Sequence, residues 1–248
     1  MQPDSDTGSP SIAQTVTTDA AISKDIEDFI YLISHDVRSS VRALIELPQW
    51  IAEDLKEAGF EMTGQVESSI SLMNRHTCRL DRMLVDLLTF SRIGRMQTVR
   101  NVALDEALDE VVDELRITQG FQIVRAIKET HLQIGDRDIL TLFNALLSNC
   151  IKHHDRQNGR IVVTTALKDG LLRLAVSDDG PGIADEYHDR VFGAMTTLRP
   201  RDEIEGSGMG LAHVRKIAML YGGNATLSQS PYGRGLKVEI ALPVDRTL

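Results

Sequence analysis

Residues 138–154 read DILTLFNALLSNCIKHH, and the way that run is taken decides the fold. Its apolar residues recur at helical spacing over more than four turns, so it forms one long amphipathic helix. Two β-rich runs follow it, GRIVVTTAL (159–167) and LLRLAVSD (171–178), joined by KDG. Such runs around a turn signal make a β-hairpin. Upstream, FQIVRAI (121–127) is strand-like, and VALDEALDEVVDEL (102–115) is helical for most of its length. Downstream of a polar stretch come a helix over 207–221 and the strands NATLSQ (224–229) and LKVEIALP (236–243). Strands and helices interleave without strict βαβ alternation. The expected fold for residues 102–248 is therefore an α+β sandwich, with helices on one face of a mixed sheet.

Upstream of residue 102 the pattern is all helical. In FIYLISHDVRSS (29–40), with Ile33 taken as zero, Ile26, Phe29, Ile30, Val37, Val41 and Leu44 fall within about 80° of it. His35 lands roughly 200° away, on the polar face, with Asp36 on its flank. After a break at EAGFEMTG (57–64), Val66, Ile70, Met73, Leu80, Leu84 and Leu87 recur at alternating fours and threes, with Thr77 in the one polar slot. That is a heptad seam, and with the first helix it makes a helical hairpin. A lone hairpin leaves its stripes exposed; two hairpins buried in a four-helix bundle predict a homodimer. SRIGRMQTVRN (91–101) breaks the heptads, so the organisation expected is a disordered tail over 1–20, a hairpin domain over 21–95, a linker over 96–101 and the sandwich.

The totals exclude several classes. The chain has 248 residues and a formal net charge of −9, with no basic run, which argues against nucleic acid or an anionic membrane as partner. No apolar run reaches the length of about 18 residues that a membrane span needs. The first twenty residues lack the basic start and apolar stretch of a signal peptide. Cys78 and Cys150 form no CxxC, so a reduced, cytoplasmic protein is expected.

Three pieces of the sandwich carry chemistry. In LLSNCIK (146–152), Asn149 and Lys152 lie one turn apart, an amide and an ammonium suited to a metal ion and a phosphate chain. In SDDGPGI (177–183), a strand ends at Asp178 and a turn with Gly180 and Gly182. A carboxylate there can accept from an exocyclic amine, and glycines let a flat base approach the backbone. In EGSGMGLAHV (205–214), Gly206, Gly208 and Gly210 run into a helix, whose N-terminal N–H groups make an anion site. The spacing is neither that of a Rossmann turn nor that of a P-loop. His153 and His154 are adjacent and make no helical metal pair, while His76, His131, His188 and His213 are scattered and read as structural or surface residues.

In this order, residues 24–243 resemble the transmitter region of the bacterial sensor histidine kinases. SHDVRSS (34–40) is similar to that family's histidine box, LLSNCIK to its asparagine box, and SDDGPGI and EGSGMGL to its two glycine boxes. VFGAMTTLRPRDEIEGSGMGLAHV (191–214) resembles the phytochrome-related, PAS-linked soluble branch. The resemblance implies a dimerisation and phosphotransfer hairpin followed by a Bergerat-type ATP-binding domain. It makes His35 the phosphoryl acceptor and Asp36 the residue that orients its ring or takes its proton. It gives Mg²⁺ to Asn149, phosphate contact to Lys152, and the adenine amine to Asp178. Gly180, Gly182, Gly206, Gly208, Gly210 and Leu211 shape the ATP pocket, residues 184–205 form a lid, and Arg199 and Arg201 touch phosphate. Implied partners are a second copy and a response-regulator receiver domain; because twenty tail residues cannot fold around a signal, input is expected from a separate sensor protein or ligand, or the chain is a piece of something longer.

The chain departs from the family at several places. Ser40 stands where proline is usual and a proline comes at Pro48 instead; Ser39 replaces the Thr or Asn that supports phosphatase activity. Asp179 replaces the Asn of the first glycine box, Met195 a Phe, and Leu236 the Thr of the last turn. Related ATPases carry a Glu four residues before the box asparagine to activate water; here that residue is Ala145. With no carboxylate there, transfer to a side chain is expected rather than hydrolysis. Two other readings are an adaptor dimer with a decayed ATP domain and a Bergerat-type kinase acting on protein Ser or Thr.

Overall fold

A computed structural model describes residues 12–60, 63–95, 97–117, 120–199 and 206–244, with the side chains of residues 12–27, 29 and 35 outside the description. Two helices come first, α1 (Ile12–Glu57) and α2 (Gln65–Arg92). They pack antiparallel, tied by the Arg38–Asp81 pair at 3.5 Å, by Arg92 stacked 5.4 Å over the Tyr31 ring, and by an Arg95–Asp28 pair. Residues 12–20, expected in a disordered tail, instead belong to α1; Ala13, Val16 and Ala20 carry helical spacing upstream, and alanine favours helix most. The helix also runs uninterrupted through Pro48.

The apolar face expected of α1 divides in two. Val41 is buried against α2, whereas Ile33, Val37 and Leu44 are exposed. The seam of α2 divides the same way: Ile70 and Leu84 are buried, Val66, Met73 and Leu80 are not. A helix in a two-helix hairpin has one neighbour, so only the half of each stripe facing that neighbour is covered.

The rest of the chain is the sandwich. Its strands are β1 (Val99–Ala103), β2 (Phe121–Ile127), β3 (His131–Gly135), β4 (Gly159–Lys168), β5 (Leu171–Asp178), β6 (Asn224–Gln229) and β7 (Leu236–Pro243). Its helices are α3 (Leu104–Glu114), α4 (Asp136–Lys152) and α5 (Gly210–Leu220). The main sheet runs β2-β4-β5-β7-β6, parallel only between β2 and β4, and is therefore mixed as expected. Helices α3, α4 and α5 share one core with it, around Leu108, Phe143, Leu147, Ile217 and Ile240.

Two expectations fail at the join. Residues 99–101 are not linker, and Val102 and Ala103 are not helix; all five pair as β1 with β3, from Val99 opposite Gly135 to Ala103 opposite His131. A partner some thirty residues away overrides the local helical pattern there. Ile93 is already inside the sandwich core at 4% exposed, so only a short turn separates the two halves.

Candidate functional site

One cleft of about 640 Å³ gathers most of the residues singled out in the sequence. α4 brings Asn149 and Lys152, and the end of β5 brings Asp178, Gly180 and Gly182. The loop into α5 brings Gly206, Gly208, Gly210 and Leu211, and the segment before it brings Arg199. Arg201 lies outside the described residues. So does the side chain of His35, whose backbone belongs to α1. Asp36 and Ser39 are exposed on α1; the Ser39 hydroxyl donates to the Asp36 carbonyl at 3.2 Å.

Asp178 is the anchored group of the cleft. Its Oδ1 accepts N–H bonds from Gly180 at 2.9 Å and from Leu236 at 3.1 Å. Two fixed donors hold the carboxylate in one orientation at the cleft wall. Beneath it sits Cys150, whose thiol is pushed well above its ordinary value, first by burial and then by the Asp178 charge. The Leu236 anchor is a main-chain N–H, so it does not depend on the side chain that departs from the family pattern.

Close backbone approach fixes two glycines. At Gly235 φ is +99° and a Cβ would stand 2.0 Å from the Asp178 carbonyl oxygen. At Gly208 φ is +77° and a Cβ would stand 2.6 Å from the Thr196 carbonyl oxygen. Any side chain at either place would force the loop open. Gly206, by contrast, has no atom of the described residues within 4 Å of a Cβ built there. The helix predicted over 207–221 begins only at Gly210, because Ser207 Oγ takes the Met209 N–H and the chain turns at Gly208 first.

Gly210 packs against the Asn149 side chain, 3.2 Å from a Cβ built there, so the start of α5 and the amide share one corner of the cleft. That corner suits a cation carried on phosphate: one neutral amide oxygen, Lys152 one turn on, and the N–H groups of a helix N-terminus. Among the described residues no cluster of three or more His, Cys, Asp or Glu forms a self-sufficient metal site. Magnesium, which keeps its waters and binds through substrate phosphates, fits such a donor set.

Several cleft residues were not marked in the sequence. His153 faces the cleft and is held below its ordinary value by burial, then by Arg199 and Lys152. Ala145, singled out in the sequence for the carboxylate it lacks, lines the same wall. Arg82, Val85, Asp86 and Thr89 close the cleft from α2. Nothing in their spacing announces this, since an ordinary helix face looks the same. The second acid of SDDGPGI, Asp179, turns away to accept from the Arg160 N–H at 2.7 Å and to pair with His154 Nε2 at 3.1 Å. Burial raises its pKa, but those two partners outweigh it and the net shift is downward.

α2 is clamped where it passes the sandwich. Lys216 Nζ donates to the Phe90 carbonyl at 2.8 Å and lies 4.3 Å over the Phe90 ring. His213 Nε2 lies 3.0 Å from the Asp86 carbonyl, and Gly94 N–H donates to the Asp138 carboxylate at 3.2 Å. Residue 35 of α1 lies between the Tyr31–Arg92 and Arg38–Asp81 ties. It is therefore level with the turn of α2 that carries Val85 and Asp86.

A family model described as "Histidine kinase-, DNA gyrase B-, and HSP90-like ATPase" matches residues 135–246. The chain is 32% identical over 139 residues to the sensor histidine kinase component HK1 of Mycobacterium tuberculosis, covering 56% of this chain and 80% of that one. It is 28% identical over 225 residues to the methanogenesis regulatory histidine kinase FilI of Methanothrix harundinacea, covering 88% of this chain and 25% of FilI. The relatives matched over most of this chain are longer, and it spans from a quarter to about half of their length. Full-length ShkA, solved in complex with AMPPNP, superposes over 87% of this chain and 45% of its own with a TM-score of 0.63 at 20% identity. That likeness extends the fold across hairpin and sandwich together.

Proposed function

The chain belongs to the sensor histidine kinase family, and we propose that it is an ATP-dependent protein kinase that phosphorylates its own His35. The phosphoryl group then passes to an aspartate of a response-regulator receiver domain. One observation carries this reading: the cleft that holds Asn149, Lys152 and Asp178 is walled by the turn of α2 level with residue 35.

Asp178, fixed by Gly180 and Leu236, accepts from the exocyclic amine of adenine, which rejects bases lacking that donor. Lys152 and the N-terminus of α5 receive the phosphate chain. Asn149 holds Mg²⁺ there, whose charge offsets that of the phosphates when it is bound. A ring nitrogen of neutral His35 forms the P–N bond as the P–O bond to the β-phosphate breaks, and ADP leaves with that electron pair. The phosphorylated ring then gives up its single N–H proton, which Asp36 takes, or Asp36 orients the ring. Ala145 offers no base for water, so the phosphoryl group goes to the imidazole.

The exposed stripes of α1 and α2 fit a homodimer, and the distal end of the hairpin, with Trp50 and Phe60 exposed, is offered to the regulator. The free thiols Cys78 and Cys150 suit the cytoplasm; among the described residues, no helix is long and apolar enough to cross a membrane.

The deciding test is incubation with γ-labelled ATP and Mg²⁺, wild type beside His35→Gln. Acid-labile, alkali-stable label that vanishes in the variant is expected. Acid-stable label would favour a Ser/Thr kinase, and absence of both label and ATP binding would favour an adaptor.

A further inference from the structure

The circumference of α2 can be read in order from its neighbours. Leu84 and Leu88 are buried on the α1 side, and Asp81 meets Arg38 at one edge of that contact. On a helix of about 3.5 residues per turn, Val85 comes next, on the same edge as Asp81. Thr89 and Arg82 follow on the back of the helix, and these three line the cleft. Beyond them come Asp86 and Phe90, whose carbonyls receive His213 and Lys216 of α5. Last come Val66, Met73 and Leu80, the uncovered apolar stripe, on the far edge. On α1 the same phasing puts Val37, Leu44 and Ile51, also uncovered, on that far edge. Residue 35 falls with Arg38 on the opposite one.

Each hairpin therefore has an apolar edge and an ion-pair edge. From this order we infer that phosphoryl transfer runs within one chain: each cleft serves the His35 of its own hairpin. The inference rests on the kinase reading and on the apolar edges being the dimer contact. Val85, on the edge where its own residue 35 stands, lines the cleft. Helix α5 stands between the cleft and the apolar edge where a second hairpin would pack. The tether allows no detour, because Ile93 is inside the sandwich core and Gly94, His213 and Lys216 clamp both sides of the join. To serve the other chain, the sandwich would have to release those bonds and swing past the dimer contact.

Two complementary variants test this. His35→Gln keeps the cleft and lacks the acceptor; Asn149→Asp keeps the acceptor and lacks a working cleft. The two are co-expressed with different tags, purified through both tags so that only mixed dimers remain, and incubated with γ-labelled ATP and Mg²⁺ beside the wild type. Labelled wild type and unlabelled mixed dimers are expected. Label on the Asn149→Asp chain of the mixed dimer would overturn transfer within the chain. In parallel, the wild-type rate per chain is expected to hold on dilution below the dimer's dissociation constant; a rate falling with concentration would overturn it too. Wild type that takes no label at all would instead overturn the kinase reading.

Discussion

In the sandwich, Phe143, Leu147, Ile161 and Ile240 are each 0% exposed, while in the hairpin Val37, Leu44, Ile51, Val66, Met73 and Leu80 remain 38–49% exposed. Both regions are patterned for burial, but one carries its partner surfaces in its own sequence and the other does not. A mixed sheet covered by α3, α4 and α5 closes its core without help. Two helices cannot, because each has two apolar half-stripes and only one neighbour. The sandwich is self-contained, and the hairpin is left incomplete.

Breaking the incomplete half gives the largest effect expected. Met73→Glu with Leu80→Glu puts two charges into the exposed stripe, and burying an unpaired charge costs about 3–5 kcal/mol. Analytical ultracentrifugation should show dimer replaced by monomer, while ATP affinity measured by calorimetry stays as in the wild type. Loss of both together would erase the distinction between the halves. Within the self-contained half, Gly235→Ala drives a Cβ to 2.0 Å from the Asp178 carbonyl. A destabilisation of roughly 2–3 kcal/mol should appear in denaturant unfolding, together with weakened nucleotide binding.

Asp178→Asn keeps the shape and removes the charge, at a cost of about 1.5 kcal/mol, or tenfold in ATP affinity. Binding of a guanine nucleotide, expected to be weak, should change little. The smallest effect lies at the join. Burial is the main cause that holds His213 below its ordinary value, with the Lys216 charge adding to it and Asp86 opposing. The unfolded chain therefore takes up this proton before the folded chain does. The stability tied to neutral His213 is complete above about pH 6.5 and declines as the pH falls below that value. Melting temperature should drop by roughly 2 °C more in the wild type than in His213→Gln between pH 7 and pH 5.5.

Much of this was legible in the residues. The strands β2, β4, β5, β6 and β7 and the helix α4 stand where period and turn signals put them, because each has a strong local pattern, and KDG marks the turn between β4 and β5. Asn149, Lys152, Asp178 and the glycines meet in one cleft, since their roles depend on loop glycines and a strand end that the sequence announces. β1 and β3 were not legible: their pairing joins segments about thirty residues apart, and neither is strongly patterned. Gly235 was signalled only by the spacing GRG, and Asp179 and His154 partner each other across a turn that no periodicity encodes.

By itself, then, the sequence determined which elements form and which side chains the cleft brings together, because helical phase, strand alternation and glycine-dependent turns act over a few residues. The tertiary structure alone decided which face of α2 closes the nucleotide cleft and which edge of the hairpin stays bare. Those follow from contacts such as Lys216 to Phe90 and Gly94 to Asp138, between residues 126 and 44 positions apart. A helix face has no local signal of what lies across from it, so only the packed chain could assign each of the four sides of α2.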